Sequence, residues 1–139
     1  MRSFSLLLLT VVLLVGACSE AEIQRSLDEV VAGAQRAYDD LSAAIDQVID
    51  GLDDEARQAA EEAQAAADDA RAALEDFAED PSEETRRALR DAERRVEDAR
   101  KALEDIADSV PEGVRGAFDR AVNSLGELVE EIGRALNRA

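Results

Sequence analysis

The sequence predicts an all-α protein, an antiparallel helical bundle or a set of coiled-coil-like helices, with four helices after a cleaved signal peptide. Apolar residues recur at alternating spacings of four and three, as in helices that bury one face. Short connections separate four segments of similar length, which favours antiparallel neighbours. The 139 residues are rich in alanine and only 3% aromatic, so narrow seams between the helices are expected.

The first 17 residues have the features of an export signal. Arg2 supplies a positive charge, and residues 6–15 are apolar except for Thr10. Ten apolar residues are too few to span a bilayer, which takes about 20, and they match the apolar region of a signal peptide. We therefore expect residues 1–17 to be a signal peptide and residues 18–139 to form a single helical domain.

Cys18 is the only cysteine, and it directly follows Leu14-Val15-Gly16-Ala17. This segment resembles the lipobox of bacterial lipoproteins, in which small residues precede a cysteine. The resemblance implies that a signal peptidase recognises Val15, Gly16 and Ala17 and cleaves after Ala17. It also implies diacylglycerol on the sulfur of Cys18, often with acylation of the new amino group. Two or three acyl chains anchor a protein stably in a membrane, whereas one chain is marginal.

The first helix is predicted at about residues 20–50. Its expected seam consists of Leu27, Val31, Ala34, Tyr38, Leu41, Ile45, Val48 and Leu52. Asp50-Gly51 indicates the end of this helix, because glycine tolerates the left-handed position that often follows a helix. Asp53 is then placed to cap the second helix.

The second helix is predicted at about residues 54–79. Its expected seam consists of Ala56, Ala60, Ala63, Ala67, Ala70, Leu74 and Phe77. Alanine has the highest helix propensity but buries little area, so we expect this helix to be well formed and loosely docked. Asp80-Pro81-Ser82-Glu83 indicates the next boundary, with Asp80 as N-cap, Pro81 in the first helical position and Glu83 completing a capping box.

The third and fourth helices are predicted at about residues 81–108 and 111–137. The third seam consists of Leu89, Ala92, Val96, Ala99, Leu103, Ile106 and Val110. The fourth seam consists of Phe118, Val122, Leu125, Val129, Ile132 and Leu136. Ser109-Val110-Pro111-Glu112 resembles a second capping box between them. One compact bundle is expected; the alternatives are helices that do not close together or that close only as an oligomer.

Composition excludes several kinds of chemistry. The chain has no histidine and one cysteine, which excludes imidazole catalysis, histidine-ligated metals and an internal disulfide. A net charge of −17 argues against nucleic-acid binding, which depends on basic residues at phosphates. The Asp46–Gly51 stretch lacks the middle oxygen ligand of an EF-hand, so paired acids such as Asp39-Asp40 and Asp68-Asp69 are interpreted as solvated helix faces. We expect no enzyme activity, cofactor or metal site.

The charge is unevenly distributed, because residues 19–80 carry 19 acidic and four basic residues. The third segment has the one basic cluster, which consists of Arg86, Arg87, Arg90, Arg94 and Arg95. Two interpretations remain open for it. The arginines pair with acids of the second helix or of their own helix, or they bind an anionic partner or lipid headgroups.

Glycines set the fourth segment apart, at Gly113, Gly116, Gly126 and Gly133. An interior glycine costs about 1 kcal/mol relative to alanine, so each needs a reason. Either the glycines let a neighbouring helix approach closely, or they keep this helix easy to release towards a partner helix or a membrane.

These features predict a lipoprotein anchored on the extracytoplasmic face of the cell membrane, acting as a structural or protein-interaction module of the cell envelope. If the cell is Gram-negative, the outer membrane is an alternative location, because Ser19 does not resemble the inner-membrane retention signal, which has aspartate at this position. The partners are the membrane, through lipid on Cys18, and a protein partner or a second copy, through the helices. The alternative is an amphipathic-helix protein that binds lipid or other amphiphiles, which the narrow seams and scarce aromatics disfavour.

Overall fold

The computed structural model describes the backbone of residues 2–138 and the side chains of residue 22 and of residues 24–137. The described chain is helical almost throughout and contains no strand. Four α-helices follow one another: α1 (Arg2–Val48), α2 (Asp54–Glu79), α3 (Glu83–Ala107) and α4 (Glu112–Arg138). The predicted helix number and fold class are therefore confirmed, and α1 also continues upstream of the bundle to Arg2.

The four helices form an up-down-up-down bundle in ring order. α1 packs against α4 and α2, and α3 packs against α2 and α4. α1 and α4 form the most extensive contact, and the diagonal contact between α2 and α4 is small. The buried apolar residues of all four helices make one continuous cluster, so the described part of the chain closes into a single core.

The connection from α1 to α2 differs from the expected glycine stop. Ile49–Gly51 form a 3₁₀ turn, and no described glycine has a positive φ, so the left-handed position expected at Gly51 is not formed. The guanidinium of Arg57 instead donates to the carbonyl oxygens of Ile49 and Leu52, at 3.3 and 3.4 Å. Asp53 caps α2 as predicted, because its side chain accepts a 2.8 Å hydrogen bond from the Ala56 amide.

The cap predicted for α3 is wrong. Asp80 ends α2, since its amide donates to the Asp76 carbonyl, and Ser82 is the N-cap of α3. Ser82 Oγ accepts from the Thr85 amide at 3.2 Å, and Thr85 Oγ1 accepts from the Ser82 amide at 2.9 Å. This reciprocal pair is the capping box, so Asp80, Pro81 and Glu83 do not have their predicted roles.

The predicted capping box between α3 and α4 is also wrong. The Ser109 amide donates to the Ile106 carbonyl oxygen at 3.0 Å, so it is not available to the Glu112 side chain. The Pro111 carbonyl accepts from the amides of Val114 and Arg115 and begins α4. The helix break itself falls where Pro111 predicted it.

The predicted seams are accurate for α2 and α3 and displaced for α1 and α4. Every predicted seam residue of α2 and α3 is buried except Ile106, which is partly buried. In α1 and α4 one of the two seam positions of each heptad lies one residue earlier than predicted, for example at Val30 instead of Val31. The additional core residues are Val30, Ala37, Ala44, Ala117, Ala121, Leu128 and Ala135. The displaced residues, only partly buried, are Val31, Tyr38, Val48, Val122, Val129 and Leu136.

Candidate functional site

The predicted anchoring site lies outside the part of the chain whose side chains are described. Val15, Gly16, Ala17 and Cys18 belong to this region, and only the course of their backbone, within α1, is described. Among the residues whose side chains are described, Leu27 is the first one of α1 that is buried. Within the described residues, no helix has a long enough apolar stretch to cross a membrane.

Three surface grooves run between neighbouring helices, and their residues show what kind of ligand chemistry they offer. The α1–α4 groove has a volume of about 440 Å³; small residues such as Ala44 and Ser124 lie among its polar ones. Arg120 crosses this groove and donates to Gln47 Oε1 at 2.8 Å. No described group of three or more acidic or cysteine side chains is arranged to hold a metal ion.

The other two grooves lie between α2 and α3 and have volumes of about 380 and 310 Å³. Each combines alanines with acidic side chains, such as Asp76 and Asp91 in the first and Glu62 and Asp105 in the second. The two grooves therefore offer polar, acidic surface for docking.

The five arginines of the basic cluster divide into two groups. Arg86 donates to the carbonyl oxygen of Leu136 at 3.1 Å and lies over the ring of Phe77, so it ties the start of α3 to the end of α4. Arg95 forms an ion pair with Asp69 of α2, as one of the two interpretations expected.

The remaining three arginines, Arg87, Arg90 and Arg94, are exposed. No carboxylate of the described chain lies within 4.0 Å of their guanidinium groups. Pairing within the bundle therefore accounts for only part of the cluster.

An incompletely satisfied ion pair lies within α3, on the side that faces α4. Arg100 Nη2 is 2.8 Å from Glu97 Oε1, while Arg100 Nε and Glu97 Oε2 are buried without a hydrogen-bond partner.

The glycines of α4 do not make room for a neighbouring helix. Arg100 packs over Gly126, whose added Cβ would lie 3.7 Å from Arg100 Nη1. An added Cβ at Gly133 would meet no atom within 4 Å. Neither Gly126 nor Gly133 is therefore required for a neighbouring helix to approach α4 closely.

One glycine that makes room for a side chain of a neighbouring helix was not predicted from the sequence. A Cβ added to Gly33 of α1 would lie 2.8 Å from Glu131 Cδ of α4. The Glu131 side chain is 16% exposed and forms a 2.6 Å ion pair with Arg134. Gly33 thus provides the space in which this carboxylate lies. The one available sequence signal was a glycine in the middle of a long helix.

Comparison with known proteins leaves the site to be interpreted from its own geometry. No protein-family model, no curated protein and no solved structure matches the chain.

Proposed function

We propose that the chain is an extracytoplasmic lipoprotein, anchored in a membrane by lipid on Cys18, whose helical bundle serves as a structural or protein-interaction module of the cell envelope. The observation that carries this proposal is the position of the only cysteine, directly after Leu14-Val15-Gly16-Ala17. An anchor at this point precedes Leu27, the first buried residue among the described side chains, by nine residues.

The length of the bundle and its charged surface support an interaction role. α4 has 27 residues, which corresponds to a length of about 40 Å. The core of the bundle is filled by the side chains of its four helices, and the grooves on its surface are polar and lined with charged residues. Such a body holds charged surface at a distance from the membrane, with Glu22 exposed near the anchored end.

Metabolic labelling with a fatty-acid analogue tests the anchor directly. The full chain is expected to take up label, to lose the mass of residues 1–17, and to fractionate with membranes. Cys18→Ser is expected to leave an unlabelled precursor of full mass, because the acyl chains and the cleavage both depend on this thiol.

A matched control separates site-specific lipidation from general acylation of thiols. Cys18→Ser combined with Ser109→Cys keeps one cysteine but moves it to an exposed position between α3 and α4. This variant is expected to remain unlabelled. Label that persists in Cys18→Ser, or an unlabelled wild-type chain with its first 17 residues intact, would refute the proposal.

A further inference from the structure

Acidic pairs recur every seven residues along α2. They are Asp54-Glu55, Glu61-Glu62, Asp68-Asp69 and Glu75-Asp76, and all eight side chains are exposed. The second residue of each pair lines a groove with α3. The first residue lies about 100° away around the helix, on the side facing α1.

The side facing α1 is identified by two contacts. Gln64 donates to Ser42 of α1 at 3.0 Å, and Arg71 lies 4.4 Å from the ring centroid of Tyr38. Glu61, Asp68 and Glu75 flank these two residues at spacings of three and four, and we call these three the acidic row.

Basic residues recur at the same period along α3. Arg87, Arg94 and Lys101 are seven residues apart and exposed, with Arg90 between the first two; these four residues form the basic row. The residues that follow Arg87, Arg94 and Lys101 line the grooves with α2. The basic row therefore lies about 100° away, towards the side where Arg86 and Arg100 contact α4.

The two rows lie on opposite sides of the bundle and at matching heights. The ring order puts the α1–α2 side opposite the α3–α4 side. Asp69 pairs with Arg95 across antiparallel helices, which fixes their register. At 1.5 Å per residue, Lys101, Arg94 and Arg87 each lie within about 3 Å of the height of Glu61, Asp68 and Glu75, respectively.

We propose that the basic row of one copy docks on the acidic row of a second copy standing beside it in the same orientation. Lys101 then meets Glu61, Arg94 meets Asp68, and Arg87 meets Glu75, while Arg90 lies beside the last pair. Because the two rows are on opposite sides, each copy has one row free for a further neighbour, so the contact repeats. The ion pairs place opposite charges at the contact between copies that each carry a net charge of −17.

This inference rests on the proposed function in one respect. Exposed ion pairs are individually weak, so the contact needs a high local concentration, which anchoring in one membrane supplies. Anchoring at the same end also gives all copies the shared orientation that the contact requires.

The only lysine of the chain, Lys101, makes the contact directly measurable. A water-soluble carbodiimide applied to membranes that contain the full chain joins an amine to an adjacent carboxylate. We expect a ladder of dimers and larger species, with Lys101 linked to Glu61 by peptide mass spectrometry. Lys101→Arg keeps the charge but lacks the amine, so it is expected to remove the ladder.

Charge exchange between copies tests the register. Arg87→Glu with Arg94→Glu places like charges opposite the acidic row, and Asp68→Arg with Glu75→Arg places like charges opposite the basic row. Each variant alone is expected to lower the yield of dimers about tenfold. Coexpression of the two variants is expected to restore dimers, because the unchanged basic row of the second then meets the unchanged acidic row of the first.

A matched control and a lipidation readout keep the outcomes separate. Arg25→Glu with Arg36→Glu changes the net charge as much as the first variant, on exposed positions of α1, and is expected to leave the ladder within about twofold of wild type. A monomer that is labelled on Cys18 overturns self-association alone, as does a linkage at other carboxylates. A ladder from an unlabelled chain overturns the lipid anchor alone.

Discussion

Two regions of the bundle use the same heptad spacing with side chains of different size. The α1–α4 seam buries large residues such as Leu41, Leu128 and Ile132, each at most 1% exposed. Residues 56–70 of α2 bury only alanines, of which Ala63, Ala67 and Ala70 are fully buried. Spacing decides which positions are buried, and side-chain size decides how much stability that burial contributes. The two regions should therefore respond differently to the same kind of perturbation.

The largest expected effect is truncation in the α1–α4 seam. Leu128→Ala removes a fully buried side chain where α4 faces its neighbours and should lower the free energy of unfolding by about 2–5 kcal/mol. The measurement is urea unfolding followed by far-ultraviolet circular dichroism. Ala63→Gly, the corresponding truncation in α2, should cost only about 1–2 kcal/mol, through lower helix propensity and the loss of one buried methyl group. Equal losses in the free energy of unfolding would mean that the size of the buried side chains does not decide which region contributes more stability.

Local opening of the helices is expected to be easier in α2 than in α1, with a smaller difference in free energy than the truncations give. Amide hydrogens of residues 56–70 are expected to exchange at least about tenfold faster than those of residues 27–45, because less apolar area must be exposed to release them. Hydrogen exchange with mass spectrometry on the full chain measures this. Slowest exchange in residues 56–70 would contradict the ranking.

The same experiment addresses amphiphile binding, the alternative function. Lipid vesicles that accelerate exchange selectively in α2 would indicate that the bundle opens on lipid. Unchanged exchange and unchanged helicity would leave the closed bundle as the functional form.

The sequence predicted the bundle well because the heptad spacing and the helix break at Pro111 are local signals. It failed to centre the α1 and α4 seams because adjacent residues are both apolar there, as in Val30-Val31 and Leu128-Val129. Periodicity cannot choose between such neighbours; contact with two flanking helices does. The capping error has the same origin, since Asp80 and Ser82 are both good caps and only the Thr85 hydroxyl selects Ser82.

The candidate site was less predictable than the fold. The sequence showed a cluster of five arginines, but which of them turn inward depends on Leu136, Phe77 and Asp69, which lie on other helices. The opposition of the acidic and basic rows also needs the ring order of the helices, which short connections favour but do not determine. The proposed anchor at Cys18 differs from these features, because the sequence pattern that predicts it is entirely local.

The smallest expected effect separates two glycines at interior positions of the same helix pair. Gly133→Ala adds a Cβ that meets no atom within 4 Å, so it should stabilise the bundle by about 0.5–1 kcal/mol through helix propensity. Gly33→Ala gains the same propensity, but its Cβ would lie 2.8 Å from Glu131 Cδ and force this carboxylate away from Arg134. We expect the two effects in Gly33→Ala to nearly cancel. In a Glu131→Ala background the obstacle is absent, and Gly33→Ala should then stabilise about as much as Gly133→Ala does. Thermal unfolding of the four variants measures the difference, and a gain at Gly33 that is independent of Glu131 would show that the carboxylate relaxes at no cost.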